Sequence, residues 1–322
     1  MHAKTQHSII YSFKNIKKTD IPIAGGKGAS LGEMTSAGIP VPSGFIIGAS
    51  AFDQFLHETA LFQDIQAQLD AVNFKDTNSV DRYSNVIRDM IAKTKFPRML
   101  QGEVIRAFKT LHATYVAVRS SATSEDSKTA SWAGELETYL NTTEKTLIGN
   151  VKKCWSSLFT PRAIFYRHEK KMLGSHISVA VVVQKMIQSE ISGITFTVHP
   201  VTEDRNQMII EAAYGLGEAI VSGALTPDSY VIDKRDLTLI DVNLAEQERM
   251  LARKGNAGGN VWRPVKKSLQ NRQKLTVTKI KELACICLSI EKHYGHPQDI
   301  EWAWARGKFY ITQSRPITTL KN

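Results

Sequence analysis

Near its carboxyl end the chain reads DIEWAWARGKFYITQSRP, two runs that alternate polar and apolar residues on either side of a short glycine-containing turn. A helix cannot present that period, so the segment predicts an antiparallel hairpin. Residues 299–305 put Asp299, Glu301 and Ala303 on one face and Ile300, Trp302 and Trp304 on the other, while Gln313 and Arg315 share a face in the second run. If Arg306-Gly307-Lys308 is a three-residue loop, Ala305 pairs with Phe309, Glu301 with Gln313 and Asp299 with Arg315. A two-residue loop shifts the register by one and spoils that pairing. In the first register a carboxylate and an amide oxygen lie side by side. They make a hard-oxygen pair suited to Mg2+, which keeps waters and phosphate oxygens as its other ligands. The alternative is a solvent-facing polar strand face.

Other elements are legible by the same means. Residues 178–186, SVAVVVQKM, are too rich in valine for anything but a buried strand. Further strands are expected at 41–47, 114–118, 139–141, 193–198, 208–212 and 229–233. Helical spacing runs through 29–37, 51–75, 80–92 and 143–165, and through 279–294, where Gly295 and Pro297 give a stop signal. The polar stretch 200–206 reads as a lobe boundary. The fold class is therefore α+β in two lobes, residues 1–200 and 201–322.

Composition narrows the class. A chain of 322 residues with 42% hydrophobic and 22% charged residues is an ordinary globular protein long enough for more than one lobe. Three cysteines do not make a disulfide scaffold, and Cys285 and Cys287 fall on different faces of a helix. The amino terminus lacks the apolar stretch of a secretory signal, and the uncharged run 34–52 is interrupted by Pro40 and Pro42. We expect a cytoplasmic protein with no membrane span. The net charge is +10, and ten lysines and arginines fall between Arg249 and Lys281 with no acidic residue among them. Such a run suits an acidic partner or phosphates, or is a solvated basic loop. No nucleic-acid motif accompanies it, and none is expected as a partner.

A second polar segment, 119–141, joins Arg119 and two serines to an acidic loop, then Gly134 and Thr138. Arginine offers a planar fork of donors to phosphate oxygens, and a glycine lets backbone N–H groups approach an anion. Lys27 lies in the glycine-flanked run Gly25-Gly26-Lys27-Gly28 just before a helix, where ammonium and helix terminus can both face phosphate. On residues alone the reading as a surface lysine comes first.

Together these motifs resemble the ATP-binding domain of the phosphoenolpyruvate synthase, pyruvate phosphate dikinase and rifampicin phosphotransferase family. Further matches are the run from Gly38 to Phe45, Ser192-Gly193-Ile194-Thr195, Tyr214-Gly215-Leu216-Gly217-Glu218, and Gln313-Ser314-Arg315-Pro316, in the family's order along nearly the whole chain. The resemblance implies an ATP-grasp arrangement with nucleotide held between lobes. It implies Lys27, Arg119 and Arg315 as catalytic phosphate ligands, and Gly134 and Thr138 as phosphate-loop positions. It places Gln184 and Met186 at the adenine, and Glu301 and Gln313 on Mg2+. A methionine ending a buried strand is otherwise simple core. Where the family has two glutamines after the glycine, this chain has Glu135 and Leu136, and a carboxylate beside a triphosphate is repulsive unless it faces metal or solvent.

In this family ATP phosphorylates a histidine on a separate swivelling domain, which serves an acceptor-binding domain. None of the nine histidines, His176 included, has that residue's surroundings. The expected function is thus the ATP-binding component of a phosphoenolpyruvate-synthase-like dikinase. It would hand phosphate to a histidine on another domain or subunit and release AMP. Two alternatives are a dikinase with another acceptor, as in rifampicin phosphotransferase or phenylphosphate synthase, and a non-catalytic ATP-binding regulatory subunit.

Overall fold

The computed structural model describes residues 8–123, 137–172, 178–256, 258–318 and 320. It is a mixed α/β fold with open antiparallel sheets in two compact units. One comprises Met1–Gly32 and Ser43–Met186, the other Glu33–Pro42 and Ile187–Asn322.

The first unit holds β1 (Ile10–Ser12), most of α1 (Ile21–Ser36), β2 (Gly44–Ile47), α2 (Ala49–Glu58), α3 (Leu61–Asp70), α4 (Thr77–Lys93) and α5 (Arg98–Thr110). It continues with β3 (Val116–Ala122), β4 (Thr138–Thr142), α6 (Glu144–Ser156), α7 (Pro161–Glu169) and β5 (Val179–Lys185). The sheet order is β1-β2-β5-β3-β4, antiparallel throughout. Val179, Val181 and Val183 join Phe52, Phe55, Phe96 and Trp155 in the helical core, as period two along β5 requires. Phe96 stacks on Trp155 at 5.4 Å and Phe55 meets it at 5.1 Å, so the core rests on aromatic burial. The opposite face of the sheet, with Ala180, Val182 and Gln184, is set apart from that core.

Several expected boundaries move. The single helix over 51–75 is two, because Ala60 takes a left-handed φ of 57° between α2 and α3. Pro161, which lacks an N–H and suits a first helical turn, starts α7 and divides the helix expected over 143–165. The strand expected at 114–118 extends through Arg119 to Ala122, so Arg119 lies within β3 and not in a loop.

The second unit holds β6 (Ile191–Phe196), β7 (Gln207–Tyr214), α8 (Glu218–Val221), β8 (Asp228–Asp233), β9 (Leu239–Asn243), β10 (Arg249–Arg253) and β11 (Asn260–Pro264). After these come α9 (Lys267–Gln270), α10 (Val277–Tyr294), β12 (Gln298–Ala305) and β13 (Lys308–Pro316). Its six strands run β13-β12-β6-β7-β8-β9, and β10 and β11 form a separate hairpin. α10 packs on β12 and β7 with Cys287 buried and Cys285 exposed, and ends at Gly295 in the left-handed conformation. Glu33 accepts from or pairs with His293 at 2.9 Å, and Ile311 N–H donates to the Pro40 carbonyl, which ties the 33–42 segment to this unit. The basic window is not all solvated. Lys274 is fully buried with its ammonium 2.8 Å from Asp228, whose other oxygen accepts from Tyr230. Among the described residues no helix is long and apolar enough to cross a membrane.

Candidate functional site

In the first unit the local geometry starts at Gly25, which interrupts α1 with φ 67° and ψ 173°, a region essentially reserved for glycine. A Cβ there would stand 2.2 Å from Ser121 Oγ and 2.3 Å from the Ser121 carbonyl oxygen. That closeness lets the helix restart directly on β3, with the Gly28 N–H donating to Ser121 Oγ at 3.2 Å. Lys27, half-buried, sits in the first turn of the restarted helix, where backbone donors and ammonium favour an anion together.

Arg119 is two residues before Ser121 on the same face of β3. It is 7% exposed, pairs across the sheet with Val182 and Thr138, and its Nη1 makes a long 3.5 Å contact with Gln184 Oε1. Gln184 is 2% exposed, and its Nε2 meets no hydrogen-bond partner among the described residues. A buried amide donor left unsatisfied costs about 1–3 kcal/mol, so this atom fits an acceptor supplied by a ligand. Thr138 opens β4 and is exposed. The Met186 N–H already donates to the Tyr115 carbonyl at 3.0 Å, so any recognition of a base edge there rests on its carbonyl or side chain. Gly134, with Glu135 and Leu136, lies outside the described residues.

One buried atom reports on the charges nearby. The Cys154 thiol on α6 is pushed well up by burial and by the charge of Glu137, and drawn down by Lys27. Lys27 and the residue preceding Thr138 therefore act on the same point of the core.

In the second unit, Glu301 stands opposite Gln313, and Asp299 opposite Arg315. The turn is not the expected one. Ala305 pairs with Lys308, and the loop is the two residues Arg306 and Gly307, with φ 52° and 75°. Positive φ at both positions is the turn whose twist matches the flanking strands. The register is restored by a bulge, since Trp302 faces Ile311 while Glu301 faces Gln313, and Thr312 is the additional residue.

Arg315 donates from Nε and Nη2 to Asp299 Oδ2 at 2.9 and 2.8 Å, which orients the guanidinium while 46% of its side chain stays exposed. Burial pushes the Asp299 carboxyl up, Arg315 draws it down, and Glu301 raises it further. Among the described residues no group of three or more Asp, Glu, His or Cys side chains is placed to hold a metal. A cation at Glu301 and Gln313 must then draw its remaining ligands from water or a bound anion, as Mg2+ ordinarily does.

Glu211 joins this face without having been singled out as a site residue. It pairs with Ile194 on β6, which in turn pairs with Glu301, so all three side chains point the same way. Its carboxyl is raised by burial and then by the charge of Asp299. Strand spacing alone gave no signal for it, because β6 separates the two strands. The close passage of β6 is secured by Gly193, where a Cβ would lie 1.8 Å from the Glu211 carbonyl oxygen and 2.5 Å from the Trp302 ring.

Comparison with known proteins adds an independent result. A family model described as the pyruvate phosphate dikinase AMP/ATP-binding domain matches residues 21–322. The chain is 47% identical over 313 residues to a probable phosphoenolpyruvate synthase of Archaeoglobus fulgidus, covering 95% of this chain and 41% of that protein. It is 44% identical to a probable phosphoenolpyruvate synthase of Methanocaldococcus jannaschii, covering 95% of this chain and 26% of that one. A rifampicin phosphotransferase of Bacillus cereus is 39% identical over 318 residues, with 97% and 36% covered. The chain spans less than half the length of each of these relatives.

Proposed function

The chain belongs to the family of pyruvate phosphate dikinase AMP/ATP-binding domains, and from that premise we propose that it is the ATP-binding component of a phosphoenolpyruvate-synthase-like dikinase with an ATP-grasp fold. It binds ATP with Mg2+ and passes phosphate to a histidine on a separate domain or subunit, which serves an acceptor site elsewhere. The observation that carries this reading is the family match over residues 21–322.

In this reading Lys27, Arg119, Gly134 and Thr138 hold phosphate oxygens, and Gln184 and Met186 meet the adenine. The buried Gln184 Nε2 supports the latter, because adenine ring nitrogens are acceptors. Glu301 and Gln313 hold Mg2+, which offsets negative charge on the phosphates, and Arg315 contacts phosphate with the donors that Asp299 does not occupy. AMP as product requires cleavage of the anhydride between the α and β phosphates. The histidine nitrogen bonds to the β phosphorus as the bridging oxygen leaves with AMP and gathers negative charge, and the pyrophosphoryl group so transferred loses its terminal phosphate to water, which leaves phosphohistidine. Arg119 is the residue best suited to that charge, since it is buried and offers a planar fork.

A second reading keeps the nucleotide chemistry and changes the acceptor, supported by the 39% identity to a rifampicin phosphotransferase. The product test separates both from an ordinary kinase. Isolated chain should turn over ATP very slowly, and with a histidine-bearing partner it should yield AMP. Vigorous ADP production by the isolated chain would refute the dikinase reading.

A further inference from the structure

Gln313 and Arg315 flank a residue that is held from the far side of the sheet. β13 is an edge strand of the second unit, with β12 as its neighbour, and the Thr312 bulge interrupts their ladder immediately before Gln313. The backbone tie from the Ile311 N–H to the Pro40 carbonyl lies ahead of that bulge. Past it, the pairing with β12 covers only Gln313 to Pro316. A short ladder on an edge strand, next to a bulge, is a weak way to fix two side chains.

This stretch carries a further tie through side chains. Alternation turns Ser314 away from Gln313 and Arg315, to the buried face where it stands opposite Ile300. There its hydroxyl donates to Gln298 Oε1 at 2.7 Å, with Ser314 3% and Gln298 1% exposed. Gln298 is held at its other end as well. Its Nε2 lies 3.2 Å from the His296 carbonyl oxygen, 3.3 Å from that of Pro297, and 2.8 Å from His296 Nδ1. Carbonyls at one end of the amide and a hydroxyl donor at the other give it one orientation, in which His296 Nδ1 accepts. The Gln298 N–H donates to Thr197 Oγ1 at 2.9 Å, and the Thr197 N–H donates to the Gln298 carbonyl at 3.0 Å. A neutral buried network with its polar atoms met makes a stiff link. It joins the start of β12 and the end of β6 to the residue between Gln313 and Arg315.

We propose that Gln298 is a positioning residue for the Mg2+ and phosphate face of the hairpin, acting through Ser314 to keep Gln313 opposite Glu301 and Arg315 beside Asp299. The proposal rests on the nucleotide reading given above. It predicts a selective defect, because the face it braces serves the metal and the phosphates and not a bare nucleoside.

The test is calorimetric titration of the full chain with ATP across a series of Mg2+ concentrations and, separately, with adenosine. Gln298→Met keeps the side-chain length and removes the link. It should raise the Mg2+ midpoint and weaken ATP in excess Mg2+ roughly ten-fold, a loss of about 1.4 kcal/mol, with adenosine affinity within about two-fold of wild type. Ser314→Ala should reproduce the shift should Gln298→Met fold poorly. Since both act through one bond, the double variant should lose little more than Gln298→Met alone. An unchanged Mg2+ midpoint in both single variants would overturn the proposal. So would an equal loss for ATP and adenosine, which marks a merely structural contact. A wild-type chain whose ATP binding does not depend on Mg2+ would instead overturn the nucleotide reading on which the proposal stands.

Discussion

Glu301 faces Gln313 across the terminal hairpin because two irregularities of one residue cancel: the turn is a residue shorter than a three-residue loop, and Thr312 adds one back as a bulge. Deleting Thr312 should remove the bulge and leave Gln313 directly after Ile311, still opposite Glu301, with Arg315 still opposite Asp299. The expected outcome is a folded protein whose ATP affinity keeps its dependence on Mg2+. Titration of Mg2+ at fixed ATP checks it, and a lost Mg2+ dependence in the folded variant would contradict the assigned register.

Gly25 should tolerate no side chain. Gly25→Ala combines a glycine-only backbone conformation with a contact of 2.3 Å to the Ser121 carbonyl oxygen. A loss of about 3 kcal/mol or more in urea unfolding is expected. Because the obstacle includes backbone, adding Ser121→Ala should not restore stability; full rescue would show that only the hydroxyl was in the way.

The acid side of the second unit should show in its pH dependence. Glu211 has its carboxyl raised, chiefly by burial and then by Asp299. The folded protein thus holds that proton more readily than the unfolded chain. The associated stability is full below the unfolded carboxylate range and is lost as pH rises through the folded value. Glu211→Gln has no such loss. The variant should therefore melt higher than wild type at neutral pH, on the order of a degree or two, with the gap closing on acidification. A gap that widens toward low pH would contradict the assignment.

Arg119→Lys should impair transfer more than binding. Lysine keeps the charge but cannot hold two phosphate oxygens with one planar group. We expect a fall of about a hundred-fold in the rate of phosphorylating the partner histidine, comparable to losing one strong electrostatic stabiliser, with ATP affinity changed far less. Wild-type rates from the variant would reduce Arg119 to a structural arginine bound to Gln184.

What could be read from residues alone divides along physical lines. Val179, Val181 and Val183 announced a buried strand because sheet packing is a local, period-two property. The facing of Glu301 and Gln313 was legible for the same reason, but the turn was not. Arg306-Gly307 carries only a weak turn signature, and nothing in Thr312 marks a bulge. α5 went unread although Leu100, Val104 and Phe108 recur at helical spacing, since Gly102 interrupts the run. β10 and β11 were hidden in the basic window, where Arg249 lies 4.5 Å over the Trp262 ring and the charges mask the strand pattern. Glu211 was not legible as part of the site, because it joins that face through Ile194 on β6, a neighbour distant in the chain.

The most direct test is binding of ATP itself, measured by calorimetry and thermal shift with excess Mg2+ and again with a chelator. The account predicts saturable binding that requires Mg2+, and stabilisation of roughly 2.7 kcal/mol at a hundred times Kd. Glu301→Ala should lose the Mg2+ requirement along with most of the affinity. A wild-type thermal shift with ATP and Mg2+ no larger than with Mg2+ alone would contradict it.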